Sequence, residues 1–203
     1  MRQILMFNHV TADGYFAGPD GNLNWIVPDQ GIDEAAVERI PGMDTILLGR
    51  RTYELFEAYW PHALEDSSTA ADPHDSSRRS PTLREMAVWI NEANKLVFSR
   101  TLKKVTWKNT RILAGIDPRA IQTLKREQGR DMIVFGSGSV VSELTKHGLI
   151  DEYQFVVNPV LLGQGKRLME GLSKNSKLKL RESKQYPSGN VVLRYASDRA
   201  SSF

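Results

Sequence analysis

The chain has 203 residues, of which 40% are hydrophobic and 25% charged, and this composition predicts one globular domain with a single core. It contains no cysteine, which excludes disulfides, thiolate nucleophiles and cysteine-ligated zinc or iron–sulfur sites. The net charge of +3 permits an anionic ligand, but the basic residues are scattered along the chain, so we expect no nucleic acid partner.

Two further classes of protein are not expected. No apolar run approaches the roughly 20 residues of a membrane span, which predicts a protein without membrane contact and with a cytoplasmic location. The four histidines show no spacing typical of metal ligands on a helix, and we therefore expect no metal site.

The first elements in chain order are a buried strand over residues 2–10 and a long loop over residues 13–25. The loop carries Tyr15, Phe16 and Trp25, so it has enough apolar surface to fold over a ligand. The alternative is a loop that packs only its own aromatic side chains.

The next stretch contains a helix over residues 33–40 and a buried strand over residues 44–49. Acidic side chains near the helix start would complement its dipole. The strand runs directly into Gly49, Arg50, Arg51 and Thr52 at the start of a second helix. Arginine offers planar donors that suit phosphate, so this glycine junction is a candidate anion site.

A low-complexity insert follows at about residues 62–81, and its composition predicts mobile surface. The helical pattern returns over residues 82–94, with Thr82 as the expected N-cap and Glu85 completing a capping box. Two further strands are predicted over residues 95–100 and 110–113.

A second glycine junction follows the buried strand that the apolar run of residues 133–135 predicts. Gly136, Ser137, Gly138 and Ser139 break the apolar run, and a helix begins near residue 140. Free N–H groups at a helix start and glycines that allow close approach favour a bound diphosphate. The third glycine of the dinucleotide fingerprint is missing, so a tight turn without a ligand remains an open alternative.

The chain ends with a strand over residues 149–157 and an antiparallel hairpin over residues 178–195. A helix that begins at Asp117 and Pro118 completes an alternation of strands and helices. The predicted fold class is therefore α/β: three α-β-α layers around a mostly parallel sheet, with antiparallel edge strands.

Several of these segments resemble one known family. They are DGYFAGPDG (13–21), LGRRTY (48–53), VFSR (97–100), VFGSGS (134–139), LIDE (149–152) and PVLLGQG (159–165). In this order they resemble the dihydrofolate-reductase-like fold, and most closely the C-terminal reductase domain of bacterial bifunctional riboflavin-biosynthesis enzymes and its stand-alone relatives. The resemblance spans almost the whole chain, and residues 1–203 are therefore expected to form one reductase domain.

The resemblance implies a reductase that uses NADPH and is a homodimer. It implies that Gly49, Arg50, Arg51 and Thr52 flank the cofactor phosphates, that Ser99 and Arg100 meet the adenosine 2′-phosphate, and that residues 136–139 contact the diphosphate. We expect hydride transfer to a C=N or C=O carbon of a small heterocyclic or sugar-like substrate. One candidate is 5-amino-6-(5-phosphoribosylamino)uracil.

The proton donor is less clearly marked. Folate reductases carry a carboxylate on the helix after the first loop, and Asp33 lies at a comparable place, with Asp29 and Glu34 as neighbours. An acid that holds a proton at neutral pH needs a raised pKa, so Asp33 should be partly buried. The alternatives are a dihydrofolate reductase proper, a non-catalytic NADPH-binding protein and a nucleic-acid binder.

Overall fold

A computed structural model describes residues 1–65, 80–172 and 176–198. Its helices are α1 (Gln30–Arg39), α2 (Arg50–Tyr59), α3 (Pro81–Glu92), α4 (Pro118–Arg126) and α5 (Gly138–Lys146). Its strands are β1 (Ile4–Thr11), β2 (Tyr15–Ala17), β3 (Met43–Gly49), β4 (Asn94–Phe98), β5 (Thr110–Leu113), β6 (Asp131–Phe135), β7 (Glu152–Asn158), β8 (Lys166–Arg167), β9 (Leu178–Gln185) and β10 (Val191–Ser197).

Eight of these strands form one sheet in the order β5-β4-β3-β6-β1-β7-β10-β9. The six strands from β5 to β7 run parallel to one another, whereas β10 is antiparallel to both β7 and β9. The predicted fold class, a mostly parallel α/β sheet with an antiparallel edge, is therefore confirmed. Strand β6 lies between β3 and β1 in the sheet, so these three strands are neighbours.

Helices cover both faces of the sheet because the inner strands are apolar on both sides. On β1, Ile4 and Met6 pack into one core with residues of α4 and α5. Leu5 points to the opposite face and packs with residues of α2 and α3. The alternation follows from the two-residue period of a strand, and it gives the three layers that the sequence predicts.

Local capping explains most helix starts. Asp117 accepts a hydrogen bond from Arg119 N–H ahead of Pro118, as the predicted cap-then-proline order requires. Asp29 caps α1, which begins three residues earlier than predicted. The prediction of Thr82 as N-cap of α3 is wrong. Ser80 caps this helix by accepting a hydrogen bond from Leu83 N–H, because Pro81 already has the backbone geometry of a first helical residue.

One element escaped the sequence analysis. The two short strands β2 and β8 pair antiparallel to form a second, two-stranded sheet. A strand of two or three residues has no measurable periodicity, and the partner lies about 150 residues away in sequence. The pairing holds part of the first loop in place, and Trp25 is buried as well. Most of the predicted insert at residues 62–81 lies outside the described residues.

Candidate active site

A large cleft lies at the carboxyl ends of the neighbouring parallel strands β1, β3 and β6. Its volume is about 1790 Å³, whereas a pocket for one drug-sized ligand typically measures roughly 300–1,000 Å³. The described lining comes from the ends of these strands, from the starts of α2 and α5, and from the faces of α1 and α3. Because parallel strands bring their carboxyl ends to the same edge, residues far apart in sequence meet here.

Ser137 connects the two glycine junctions at the floor of the cleft. Its hydroxyl oxygen accepts a hydrogen bond from Gly49 N–H at 2.8 Å, and its O–H donates to Thr52 Oγ1 at 2.7 Å. Both Gly136 and Ser137 have left-handed backbone conformations, with φ of 54° and 56°. Such a conformation suits glycine but strains serine, and the two hydrogen bonds offset that cost.

Two helix N-termini therefore meet in the cleft. Helix α2 begins at Arg50 directly after Gly49, and α5 begins at Gly138 directly after Ser137. Neither helix has a side-chain N-cap hydrogen bond. The first N–H groups of a helix lack intrahelical partners, and the helix dipole places partial positive charge there. The pair of helix starts therefore forms an electropositive floor suited to an anion such as a diphosphate.

Most of the predicted site residues line this cleft. They are Asp33, Gly49, Arg50, Arg51, Thr52, Gly136, Ser137, Gly138 and Ser139. Ser99 and Arg100 do not belong to its described lining. Ser99 instead accepts hydrogen bonds from Thr101 and Leu102 N–H groups and so shapes the turn after β4.

Arg50 links that turn to the cleft. Its Nη1 donates to Thr101 Oγ1 at 2.9 Å, and its Nε donates to Glu54 at 2.6 Å. These contacts direct the guanidinium group toward the turn that follows Ser99 and Arg100. The arginine-bearing junction and the turn after β4 are therefore adjacent, although the second lies outside the cleft lining.

The acidic residues of α1 differ in their environment. Asp33 lines the cleft, but its side chain is exposed, whereas the sequence predicts partial burial. Burial tends to raise the pKa of Asp29, but hydrogen bonds from Ser188 and Gly31 outweigh this and lower it below its ordinary value. Asp29 is thus a helix cap in its ionised form and is unsuited to donate a proton at neutral pH.

The first loop reaches the second glycine junction through Phe16. A Cβ atom placed on Gly138 would lie 2.9 Å from Cζ of the Phe16 ring, so the ring packs directly on this glycine. Asp13 fixes the loop from the other side by accepting hydrogen bonds from Leu162 and Gly163 N–H groups. These contacts and the β2–β8 pair hold the first loop beside the cleft.

Two cleft residues that the sequence analysis missed carry unpaired polar atoms. Asn8 Oδ1 and Trp60 Nε1 are buried and have no hydrogen-bond partner in the described structure, and both residues line the cleft. Only 4% of Asn8 and 5% of Trp60 is exposed. An unpaired buried polar atom costs about 1–3 kcal/mol, so both side chains lower the stability of the fold beside the cleft. The sequence signal that could have identified Asn8 is its polar side chain at the end of the apolar run of β1.

The described ranges contain neither a candidate metal site nor a candidate membrane span. In residues 1–65, 80–172 and 176–198, no group of three or more histidine, aspartate or glutamate side chains is arranged to hold a metal ion. Among the helices of those same ranges, none has the length and apolar character to cross a membrane.

Comparison with known proteins identifies relatives over nearly the whole chain. The sequence model of the RibD C-terminal domain matches residues 2–192. The uncharacterized protein YyaP of Bacillus subtilis is 28% identical over 198 residues, which cover 96% of this chain and 94% of YyaP. The riboflavin biosynthesis protein RibD of Corynebacterium ammoniagenes is 29% identical over 157 residues, which cover 76% of this chain but only 42% of that protein.

Solved structures share the fold at low sequence identity. A protein from Shewanella sp. PV-4, solved under a provisional assignment to riboflavin biosynthesis, has a TM-score of 0.71 and 19% identity, with 97% of this chain and 99% of that chain covered. A second structure, with a TM-score of 0.63 and 14% identity, is the diaminohydroxyphosphoribosylaminopyrimidine deaminase/5-amino-6-(5-phosphoribosylamino)uracil reductase of Thermotoga maritima. The match covers 97% of this chain and 56% of that chain. The resemblance seen in the sequence motifs is thereby confirmed, and the chain belongs to the family of RibD C-terminal domains, the reductase domain of these enzymes.

Proposed function

We propose that this chain is an NADPH-dependent reductase that adds hydride to a C=N or C=O carbon of a small heterocyclic or sugar-like substrate. The observation that carries the proposal is the junction at Ser137, which holds the starts of α2 and α5 together in one cleft. Two helix N-termini side by side suit the two phosphates of a dinucleotide. The cleft is also large enough for a second, smaller molecule.

The residues present fit NADPH. Gly49 and Ser137 bring the starts of α2 and α5 to the same cleft, and the missing Cβ of Gly138 lets the Phe16 ring of the first loop pack beside the start of α5. In the proposed complex Gly136, Ser137, Gly138 and Ser139 contact the diphosphate, together with Gly49 and Thr52. Arg50, Arg51 and Arg100 provide cationic donors for the 2′-phosphate, with the turn formed by Ser99 beside them.

The chain's own contribution to the reaction is positioning and proton supply. When bound, NADPH would supply the hydride, and the role of the protein is to hold the acceptor carbon close to it. Reduction of C=N or C=O also requires a proton at the nitrogen or oxygen. Asp33 is the proposed positioning residue for this proton: its exposed carboxylate would orient a water that delivers it.

The substrate named for the Thermotoga neighbour, 5-amino-6-(5-phosphoribosylamino)uracil, is the first compound to test with this chain. Dihydrofolate is the second, because the fold is shared with folate reductases. The two compounds separate a role in riboflavin synthesis from a role in folate metabolism.

The decisive experiment is titration of the protein with NADPH and NADH by calorimetry, followed by turnover assays that monitor cofactor absorbance with each substrate. We expect NADPH to bind more tightly than NADH and one substrate to be reduced. Binding of NADPH without turnover of any pterin, pyrimidine or carbonyl compound would support a non-catalytic NADPH-binding protein. Absence of binding by either cofactor would refute the proposal.

The role of Asp33 is tested by Asp33→Asn. We expect a decrease in kcat of about 100-fold, the lower end of the usual contribution of general acid catalysis, with unchanged affinity for NADPH. Glu34→Gln is the matched control, because Glu34 lies next to Asp33 on α1 but does not belong to the described cleft lining. Equal activity of the two variants would contradict the role of Asp33.

The homodimer and the cytoplasmic location implied by the resemblance remain predictions. Sedimentation equilibrium of the purified chain measures its mass in solution. A monomeric mass of 22.9 kDa at micromolar concentration would contradict the dimer.

A further inference from the structure

One histidine of the cleft, His9, has no role in the function proposed above. It lies near the carboxyl end of β1, two residues after Phe7, and lines the cleft as a half-buried side chain. The rings of Phe7 and His9 are 5.6 Å apart, and both side chains extend from the same face of the strand. On that face Phe7 packs against the core cluster that contains Ile32 of α1. His9 therefore lies on the side of the sheet that carries α1.

Asn158 fixes the protonation pattern of the His9 ring. Its Oδ1 accepts a hydrogen bond from Val27 N–H at 2.9 Å, which identifies the oxygen of this amide. Its Nδ2 donates to the Val156 carbonyl at 3.0 Å and to His9 Nδ1 at 3.3 Å. Because a donor beside Nδ1 requires Nδ1 to be the acceptor, the neutral His9 ring carries its proton on Nε2.

The same contact orients the ring. Asn158 is 0% exposed and does not belong to the described cleft lining, so the Nδ1 edge of His9 faces the protein interior. The opposite edge of an imidazole ring consists of Cδ2 and Nε2. Since His9 lines the cleft, the Nε2–H is the polar group that its ring presents there.

The position of His9 fits the reacting end of a bound dinucleotide. The proposed 2′-phosphate contacts lie at the turn after β4, and the two helix starts proposed for the diphosphate follow β3 and β6. The next strand in this direction is β1, about 4.8 Å from β6. The nicotinamide, and with it the acceptor carbon of the substrate, would then lie over the end of β1. Asp33 of α1 lines the cleft on the same side of the sheet as His9.

We propose that His9 is a catalytic residue whose Nε2–H donates a hydrogen bond to the nitrogen or oxygen of the substrate's C=N or C=O group. The inference rests on the proposed reductase function and adds a residue to the same site. Hydride addition, with oxidation of NADPH to NADP⁺, forms a C–H bond at the carbon and moves the π electron pair onto the nitrogen or oxygen. The His9 Nε2–H stabilises the electron density on this atom. The water oriented by Asp33 supplies the proton, which solvent then restores.

Two variants of His9 test this role. His9→Phe keeps a planar ring but removes the Nε2–H, whereas His9→Gln keeps an amide N–H near the position of Nε2. Turnover is measured with 5-amino-6-(5-phosphoribosylamino)uracil and with dihydrofolate, and NADPH affinity is measured by calorimetry. A preorganised donor to a developing charge typically contributes roughly 100- to 1,000-fold, so we expect kcat to fall at least about 100-fold in His9→Phe but less than about tenfold in His9→Gln. NADPH affinity should change by less than about threefold in both variants.

His147→Gln is the matched control. His147 lies at the C-terminal end of α5 outside the described cleft lining, and its Nε2 contacts Glu143 of the same helix. Its kcat should stay within about twofold of the wild-type value.

The protonation pattern of His9 has a test that needs no substrate. Proton–nitrogen correlation spectra of the full chain distinguish an imidazole protonated at Nε2 from one protonated at Nδ1. The spectrum of His9→Gln identifies the His9 signals by their loss. We expect the Nε2-protonated form at a pH above neutrality, and the Nδ1-protonated form would overturn the inference.

The outcomes separate this inference from the proposed function. Wild-type kcat in His9→Phe, an equal loss in His9→Phe and His9→Gln, or a parallel fall in NADPH affinity would overturn the role of His9, while turnover by the wild-type protein still supported a reductase. Should His9→Phe fail to fold, His9→Asn takes its place, because the shorter amide reaches only the position of Nδ1. A wild-type protein that binds no NADPH, or reduces neither compound, would overturn the proposed function, and the role of His9 with it.

Discussion

The hydroxyl of Ser137 accepts a hydrogen bond from the backbone N–H of Gly49, and 88 residues of sequence separate the two. Gly49 ends β3 and Ser137 follows the adjacent β6, so the bond fixes the distance between the starts of α2 and α5. Both residues are buried, which means that water cannot replace the serine oxygen.

Ser137→Ala removes this acceptor of the Gly49 N–H. We expect a loss of about 1–3 kcal/mol in the free energy of unfolding, because a buried N–H loses a hydrogen-bond partner and the left-handed backbone at position 137 remains. Urea denaturation gives the value. Ser139→Ala is the control, since Ser139 is exposed two residues away and should change stability by less than about 0.5 kcal/mol. Equal stability of the two variants would show that the junction does not depend on this bond.

Arg50→Ala tests the side of the cleft that faces the turn after β4. Because Arg50 Nη1 contacts Thr101 there, we expect NADPH affinity to fall about tenfold and NADH affinity by less than about threefold. Calorimetric titration with both cofactors measures the two changes. Arg84→Ala, on the exposed face of α3, should alter neither. An equal loss for both cofactors would remove the assignment of Arg50 to the 2′-phosphate.

Gly138→Ala tests the need for close approach at the start of α5. The added Cβ would lie 2.9 Å from the Phe16 ring, so the ring must shift into the cleft. We expect NADPH affinity to fall about 3- to 10-fold with little change in the melting temperature, because an aromatic ring can move more readily than backbone. Gly115→Ala meets nothing within 4 Å and serves as the control. Unchanged NADPH affinity in Gly138→Ala would place the diphosphate elsewhere.

Glu152 provides a pH-dependent contribution to stability. Burial raises its pKa, but hydrogen bonds from Arg194 and Arg39 outweigh this effect and hold the pKa below its ordinary value of 4.5. A lowered folded-state pKa gives stability that is fully present above pH 4.5 and is lost as the pH falls through the folded value. Arg39 ends α1, so this ion pair also positions the helix that lines the cleft.

Glu152→Gln should therefore lower the free energy of unfolding by about 1–2 kcal/mol at pH 7, with a smaller difference from wild type at pH 3. Urea denaturation at both pH values measures the change. Glu182→Gln is the control, because Glu182 pairs with the same Arg194 but is more exposed, and it should have little effect. A difference that stays constant from pH 7 to pH 3 would contradict the assigned role of the carboxylate.

Patterns within short segments predicted the architecture well. The apolar runs of β3 and β6 identified buried parallel strands, and a glycine directly after each run identified the two junctions at Gly49 and Gly136. These signals are local, since a strand end and a helix start follow from neighbouring residues alone. Parallel strands then bring the junctions to one edge without further information.

Other features depended on contacts that no short segment encodes. Thr82 was expected to cap α3, yet Ser80 does so, because the choice between two nearby hydroxyl residues depends on how the chain enters the helix. Ser99 is expected beside the cofactor, and only the structure shows that its hydroxyl also serves the turn after β4. Asp33 was expected to be partly buried, but α1 presents it to solvent at the cleft.

The sequence by itself determined the fold class, the family and the two glycine junctions, because each is a local pattern repeated in a fixed order. Only the tertiary structure decided that Asn8 and Trp60 carry unpaired polar atoms and that Phe16 packs on Gly138. The physical reason is that an unmet hydrogen bond is defined by every atom within reach, and those atoms come from elements far apart in the chain.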